Sequence, residues 1–271
     1  MVMDPLFWKS LVQGIVQGLT EFLPISSTGH MILFDHFLAM GKPFSDMFEV
    51  VIQLGSILSV IVYFAKKIFP ASLQKDDLKT WFMMWLKVGF AVVPALIVGA
   101  LLGSLIQEKL YNAITVATTL LLGGIFLIVA DSSEKKGSVR QEISELSWWR
   151  AFGIGCCQCV AMIPGVSRSA ATIVGGMFFG CSRPLAAEFS FFLAIPTMMA
   201  ASGYSLLKHG AKVSGPEWIA LAIGFVTAFF VAWGVIAFFM KFIRKHDFKP
   251  FGYYRIALAI IVFVLFACKV I

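Results

Sequence analysis

A polar cluster interrupts an otherwise apolar stretch near the start of the chain. Gln13, Gln17 and Glu21 recur every four residues, so on a helix they form one polar stripe. Pro24 should end this helix, because proline lacks an N–H donor and restricts the residue before it. Directly after it come Ser26, Ser27, Thr28 and His30. The pattern predicts that a carboxylate, hydroxyls and an imidazole converge at one turn.

This first turn is suited to binding an anion. A helix that starts at Ser26 to Thr28 would point its free N–H groups and its positive dipole end at the turn. His30 lies within reach of the Ser26 or Ser27 hydroxyl on one helical face. Helix capping is the alternative for Ser26 or Thr28 alone, but ionisable groups inside apolar segments usually serve function. The chemistry predicted is phosphate binding with proton transfer.

A second polar turn, over residues 164–172, carries an arginine. Its hydroxyl residues are Ser167, Ser169 and Thr172. Arg168 would be costly in a membrane without an anion, and its planar fork fits phosphate oxygens. The structural alternative is an ion pair with one carboxylate, from Glu21, Glu49 or Glu188. The guanidinium and the hydroxyls together predict a phosphate or diphosphate site.

Composition restricts the class of protein that holds these turns. The chain has 271 residues, of which 59% are hydrophobic and 14% charged, with a mean hydropathy of +0.87. These values exclude an ordinary soluble domain and predict a single membrane domain over residues 1–271. The net charge of +7 does not indicate nucleic acid, because the basic residues lie in short segments beside apolar runs.

The apolar segments predict both crossings and shorter elements. Six are long enough to span a bilayer, namely 46–65, 84–105, 112–130, 186–206, 217–239 and 253–270. Segments 7–23 and 27–40 are too short to cross singly, so they predict a re-entrant hairpin around Pro24. Short apolar pieces also flank Pro164. Glu49 and Gln53 lie one turn apart on the first span, so their face should point to the cluster.

The two halves of the chain share one spacing. Gly14, Gln17 and Ser26 match Gly155, Gln158 and Ser167 at a shift of 141 residues. Glu49 and Glu188 match at a shift of 139. We predict an all-α integral membrane protein with two repeats, about 7–131 and 147–270, each a re-entrant helical hairpin plus three transmembrane helices. Because three crossings change sides, the repeats should have inverted topology.

Basic residues predict the orientation. On the side of the termini lie Lys9, Lys42, Lys109, Lys208, Lys212 and Lys269. Fifteen others fall on the opposite side, among them Lys135, Lys136, Arg140 and Arg255. By the positive-inside rule both termini are outside, the first hairpin opens outward and the second opens to the cytoplasm.

Two motifs resemble those of one family. Residues 17–30 and 164–172 are similar to signatures of the undecaprenyl-diphosphatases, also called bacitracin-resistance proteins, and residues 48–56 and 188–193 also resemble the family. The resemblance covers essentially the whole chain. It implies a bacterial cytoplasmic membrane enzyme that hydrolyses undecaprenyl diphosphate to undecaprenyl phosphate and inorganic phosphate. This reaction recycles the cell-wall lipid carrier and gives tolerance of bacitracin.

The residues and the resemblance together predict a site. The catalytic candidates are Glu21, Ser27, His30 and Arg168. The substrate-binding candidates are Gln13, Gln17, Ser26, Thr28, Glu49, Gln53, Ser167, Ser169 and Thr172. The resemblance implies a divalent cation, Mg²⁺ or Ca²⁺. Gln17 removes a second carboxylate that many members carry, so the cation would rely on Glu21, with Glu49 as a further candidate ligand, and on the substrate phosphates. Expected partners are the polyprenyl diphosphate lipid and membrane lipids, with a homodimer as a candidate assembly.

Alternatives stay open for both mechanism and function. Ser27 is the expected nucleophile, with Glu21 or His30 taking its proton, while attack by His30 or by metal-activated water are the rivals. A polyprenyl-phosphate flippase or transporter is the rival function, because inverted repeats with broken helices are a transporter layout. The acid-phosphatase-like lipid phosphatases are less suited, since no His follows Arg168 at the required interval.

Overall fold

A computed structural model describes residues 5–38, 40–41, 44–70, 72–132, 142–210 and 213–270, and their regular elements are helices. In chain order the α-helices are α1 (Pro5–Thr20), α2 (Ser27–Leu38), α3 (Phe44–Tyr63), α4 (Ala65–Ile68), α5 (Lys75–Leu110), α6 (Ala113–Ser132), α7 (Trp148–Val160), α8 (Arg168–Phe178), α9 (Arg183–His209), α10 (Gly215–Phe242) and α11 (Lys249–Ala267). A short 3₁₀ helix covers Ile143–Glu145. The predicted all-α class is confirmed.

Six helices of the described chain are long and apolar enough to cross a membrane: α3, α5, α6, α9, α10 and α11. They correspond to the six predicted spans. The predicted span 84–105 is too short, because α5 begins at Lys75 and ends at Leu110. Asp76 and Asp77 lie in the first turn of α5, where negative charge stabilises a helix N-terminus. A polar sequence there therefore extends the helix instead of ending it.

The four short helices form two pairs, each joined by a turn. Residues 21–26 connect α1 to α2, and residues 161–167 connect α7 to α8. α1 ends at Thr20, before the proline that was expected to stop it. The Glu21 N–H still donates to the Gln17 carbonyl at 3.0 Å, so Glu21 keeps its place one turn beyond Gln17.

The packing partners of the two pairs correspond. α1 packs against α10, and α7 packs against α5. At the matched positions Gly14 and Gly155, a Cβ would collide with the backbone carbonyl of Gly224 in α10 and of Ala91 in α5, respectively. Each short helix therefore lies close against the backbone of a long one, and only the absence of a side chain permits this approach.

The core surrounds α9, the most buried of the six long helices. Phe191 and Phe192 of α9 are fully buried and pack in a cluster with Phe22 of the first turn and Phe239 of α10. Apolar side chains on the outer helices are exposed, as lipid-facing residues are expected to be, for example Leu101, Phe126 and Phe230. The turns therefore lie beside a dense aromatic core.

One basic residue used for the topology prediction was misplaced. Arg255 was assigned to the cytoplasmic surface, but its side chain is fully buried in α11. Arg255 therefore cannot be counted among the surface charges. Outside the described residues lie Lys42, Lys135, Lys136, Arg140 and Lys212, which entered the same count. The orientation in the membrane stays a prediction.

Candidate active site

The start of α8, directly after the second turn, contacts the first turn. The Ser169 hydroxyl of α8 donates to the Leu23 carbonyl of the first turn at 2.8 Å. Ser26 caps α2 by accepting from the Gly29 N–H at 3.2 Å, and Ser167 caps α8 by accepting from the Ala170 N–H at 3.2 Å. Both short second helices thus begin at the meeting of the turns, where their N-terminal dipoles favour negative charge.

The two capping serines have the same unusual backbone. Ser26 has a φ of 71° and Ser167 a φ of 74°. Side chains disfavour this region, and each such residue costs on the order of 1–3 kcal/mol. The two serines are also the positions matched by the 141-residue shift. Strain of this kind concentrates at functional sites, which supports a functional role for the turns.

A buried ion pair joins the two turns. Arg168 Nη2 donates to Glu21 Oε1 at 3.0 Å, and the two side chains are 12% and 4% exposed. Gln17 Nε2 donates to the other Glu21 oxygen at 2.8 Å. Of the three carboxylates considered for this pairing, Glu188 instead binds Lys67 at 2.7 Å. The geometry alone is compatible with a structural ion pair, so the remaining guanidinium contacts decide the interpretation.

Those contacts leave one donor unused. Arg168 Nη1 donates to the Ser190 carbonyl of α9 at 3.1 Å, and the guanidinium lies 5.8 Å from the centre of the Phe22 ring. Arg168 Nε is buried and has no hydrogen-bond partner among the described residues. Buried donors without an acceptor are rare because each costs about 1–3 kcal/mol. An anionic ligand oxygen would supply the acceptor.

The hydroxyl residues of the second turn bind one another and the protein. Ser167 Oγ lies 3.0 Å from Ser169 Oγ. Thr172 Oγ1 donates to the Arg168 carbonyl at 2.8 Å and lies 2.6 Å from Ser190 Oγ. These contacts order the start of α8, the helix that carries the arginine.

Both ring nitrogens of His30 are occupied. Nδ1 lies 2.7 Å from the Ser26 carbonyl, and Nε2 lies 2.7 Å from the Tyr254 hydroxyl of α11. A carbonyl can only accept, so Nδ1 must carry a proton. In this arrangement His30 connects the first turn to the last span. Either ring nitrogen would have to break its present hydrogen bond before it could react with a substrate.

The other predicted residues lie on nearby elements. Ser27 and Thr28 are half-buried at the start of α2, and Gln13 is fully buried on α1. Glu49 and Gln53 are half-buried on α3, which packs against α1. The structure thus brings Glu21 into direct contact with both Gln17 and Arg168, and Ser27 is the first residue of α2.

The donor set fits a cation that is shared with a substrate. The described residues contain no group of three or more His, Cys, Asp or Glu side chains able to hold a metal ion alone. Glu21 spends one acceptor site on Arg168 and one on Gln17, whereas a carboxylate offers about four. Mg²⁺ commonly binds one or two carboxylates plus substrate phosphates. A single carboxylate beside an anion site matches that pattern.

Three residues of this region were missed by the sequence analysis: Ser190, Tyr254 and Arg255. Ser190 is an ordinary small residue in an apolar helix, so nothing in the sequence distinguished it. Tyr254 and Arg255 open the last apolar segment and resembled interfacial residues. An arginine within an apolar span was the one available signal.

The fold and the site define a class of protein. Six long apolar helices surround two short helix pairs, and a buried arginine–carboxylate pair with a spare donor lies between their turns. This is a multi-pass membrane protein with an arginine–carboxylate pair in its interior. Residues 10–261 match the family described as bacitracin resistance protein BacA, and the chain belongs to that family.

Curated relatives agree over nearly the full length. The chain is 45% identical over 264 residues to "Undecaprenyl-diphosphatase" of Thermoanaerobacter sp. (strain X514), covering 97% of this chain and 98% of the relative. It is 47% identical over 263 residues to "Undecaprenyl-diphosphatase 1" of Clostridioides difficile (strain 630), covering 96% of each. The family resemblance predicted from the motifs is confirmed.

Proposed function

We propose that the chain hydrolyses undecaprenyl diphosphate to undecaprenyl phosphate and inorganic phosphate between the two turns. The observation that carries this assignment is the buried Nε of Arg168, which has no hydrogen-bond partner among the described residues and lies in the same side chain that pairs with Glu21, beside two capped helix starts. A terminal phosphate there would accept from the guanidinium and from helix N–H groups. The names of the relatives supply the substrate.

In the proposed mechanism Ser27 attacks the terminal phosphorus in line. Its proton passes to Glu21, and the bond to the bridging oxygen breaks to release undecaprenyl phosphate. Arg168 and the N-terminus of α8 stabilise charge on the equatorial oxygens. Water then attacks the phosphoserine phosphorus, the bond to Ser27 Oγ breaks, Glu21 returns its proton to that oxygen, and inorganic phosphate leaves. Gln17 orients Glu21 through the 2.8 Å hydrogen bond.

The position of His30 supports Ser27 as the nucleophile. His30 holds the Ser26 carbonyl and the Tyr254 hydroxyl, so it serves best as a support for the turn that carries Ser27. Substrate labelled on the terminal phosphate, with the phosphoenzyme trapped by rapid quench, would distinguish Ser27 from His30 as the nucleophile. Phosphoserine survives acid and phosphohistidine survives base, so the label is expected only after acid quench. Label only after base quench would identify His30, and label after neither would indicate water.

A divalent cation, Mg²⁺ or Ca²⁺, would bind Glu21 and the substrate diphosphate and would neutralise part of the diphosphate charge. Arg168 and the N-terminus of α8 bind and orient the phosphate. The remaining substrate-binding proposals are Gln13, Ser26, Thr28, Glu49, Gln53, Ser167, Ser169 and Thr172.

We also propose that the halves are inverted repeats with both termini outside and the first pair opening outward. The similar φ values of Ser26 and Ser167 and the corresponding packing of α1 and α7 support the repeat. The outward orientation rests on the basic residues of the loops. A homodimer stays a prediction.

Phosphate release by the purified full chain in detergent tests the function. We expect release from undecaprenyl diphosphate, loss of release with a chelator and recovery with Mg²⁺ or Ca²⁺. A folded protein that releases no phosphate under these conditions would contradict the assignment. The same protein in vesicles, with labelled undecaprenyl phosphate in one leaflet, tests the flippase alternative, which the repeat layout favours.

A further inference from the structure

The guanidinium of Arg255 contacts both turns of the site although the residue belongs to the last span. It donates to Pro24 of the first turn at 3.3 Å and to Gly165 and Val166 of the second at 3.0 and 2.9 Å. It also donates to the Thr119 and Leu120 carbonyls of α6 at 3.1 and 3.4 Å. These five carbonyls match the five N–H donors of one guanidinium.

The environment of Arg255 is built to hold it. The side chain is fully buried, and a Cβ on Gly123 of α6 would collide with its Nη2. All five acceptors are backbone carbonyls, so substitution of any one side chain would not remove them. Because the fork is planar and rigid, it fixes the spacing of the carbonyls that it binds.

The contact to Val166 also orients an amide at the site. In a trans peptide the N–H points away from the C=O, so the Val166 carbonyl directed at Arg255 turns the Ser167 N–H to the opposite side. Ser167 caps α8, and Arg168 follows it. A shift of this peptide would therefore move the start of the helix that carries Arg168.

From this geometry we propose that Arg255 is a positioning residue for catalysis, which sets the relative position of the two turns and thereby aligns Arg168 with Glu21 and Ser27. This inference rests on the site assigned under the proposed function. A displacement of about 1 Å in a catalytic group can lower the rate about 100-fold. A residue that fixes the relative position of the two turns therefore affects kcat directly.

The test compares Arg255→Lys with Arg183→Lys in the full chain. Arg183 also makes an ion pair between helices, to Asp131 at 2.8 Å, in which Asp131 is fully buried and Arg183 is 24% exposed. A lysine at 255 has only three donors on a point charge and cannot bind all five carbonyls. We expect kcat to fall about tenfold or more with KM within about threefold for Arg255→Lys, and both constants to stay within about threefold for Arg183→Lys.

A double-mutant cycle separates positioning from general stability. If Arg255 acts through the placement of Arg168, then Arg255→Lys should cost much less in an Arg168→Lys background, whereas the Arg183→Lys effect should multiply independently. Independent multiplication for Arg255→Lys, or an unchanged kcat in folded protein, would overturn the proposal. If Arg168→Lys alone keeps full activity, the proposed site itself is wrong, which is a distinguishable result.

A second pair of variants covers the case in which Arg255→Lys does not fold. Gly123→Ala pushes on the guanidinium, whereas Gly252→Ala adds a Cβ at the same α6–α11 interface against Ile128 and the Gly124 carbonyl. We expect kcat per folded protein to fall for Gly123→Ala and to hold for Gly252→Ala. Equal effects from the two variants would overturn the proposal.

Discussion

Two buried arginines lie close to the same pair of turns and differ in what they bind. Arg255 places all of its donors on backbone carbonyls, whereas Arg168 binds one carboxylate and one carbonyl, and its Nε has no acceptor among the described residues. A guanidinium whose donors are all used has nothing left for a ligand. One with a buried spare donor needs an acceptor that the described chain does not provide.

The comparison separates scaffold from chemistry. Arg255 joins three stretches of backbone and has no described carboxylate among these contacts, so its value lies in geometry. Arg168 has a neutralising partner in Glu21 and is slightly exposed. A substrate anion arriving there can share the charge of the arginine with Glu21 and with a bound cation. Burial of an arginine alone therefore does not indicate a ligand site; the pattern of its partners does.

The largest effect is expected for Arg168→Lys. The variant keeps the charge but loses the fork, so activity should fall by about 1,000-fold. Thermal stability in detergent should change little, because an ammonium can still pair with Glu21. Phosphate release and a melting curve check both parts. Arg183→Lys is the control, and equal activity in the two variants would remove the distinction between the arginines.

Arg255→Met should reverse the profile, with stability affected first. Removal of the guanidinium leaves the buried carbonyls of Pro24 and Gly165 and the partly buried carbonyl of Val166 without their donor, at a cost of about 3 kcal/mol or more. The melting temperature should fall further than in Arg168→Lys. If Arg255→Met melts as the parent protein does, the five contacts do not stabilise the fold.

Glu21→Gln should cut activity by about 100-fold while preserving shape. The amide can still accept from Arg168, but it cannot take a proton from Ser27 and binds a cation poorly. The variant should need a higher Mg²⁺ concentration for half-maximal activity, as measured by a Mg²⁺ titration of phosphate release. Glu188→Gln is the matched control, since Glu188 pairs with the exposed Lys67. A loss of similar size in the control would argue against a special role for Glu21.

Tyr254→Phe should have the smallest effect. It removes the hydrogen bond to His30 Nε2 and keeps the ring contact, so stability should fall by about 1 kcal/mol and activity by less than about threefold. A melting curve and a rate measurement suffice. A large loss of activity would show that His30 needs its tyrosine for chemistry and would favour His30 over Ser27.

Local sequence was sufficient to predict the turns. Proline and hydroxyl residues between apolar runs specify a chain break and a helix start, and Ser26 and Ser167 do cap helices. The same reasoning predicted the six spans, since length and hydropathy are local properties. The start of α5 was predicted too late in the sequence, because hydropathy does not distinguish acidic residues in the first turn of a helix from those of a polar loop.

Contacts between distant residues could not be predicted in the same way. Glu21 was one of three carboxylates offered to Arg168, and only the packing of the two turns selects it over Glu188. Nothing in the sequence indicated the contacts of Arg255, because its five acceptors are backbone carbonyls, which every residue type has. Sequence patterns register side-chain chemistry, and the scaffold of this site consists largely of main chain.

The most direct test is a structure of the protein with vanadate or a non-hydrolysable diphosphate lipid bound. We expect an oxygen of the terminal group about 3 Å from Arg168 Nε, with Ser27 Oγ in line with the phosphorus or vanadium. Arg255 should keep its five carbonyls in that complex. An anion bound away from both turns, with Arg168 Nε still lacking an acceptor, would contradict the account.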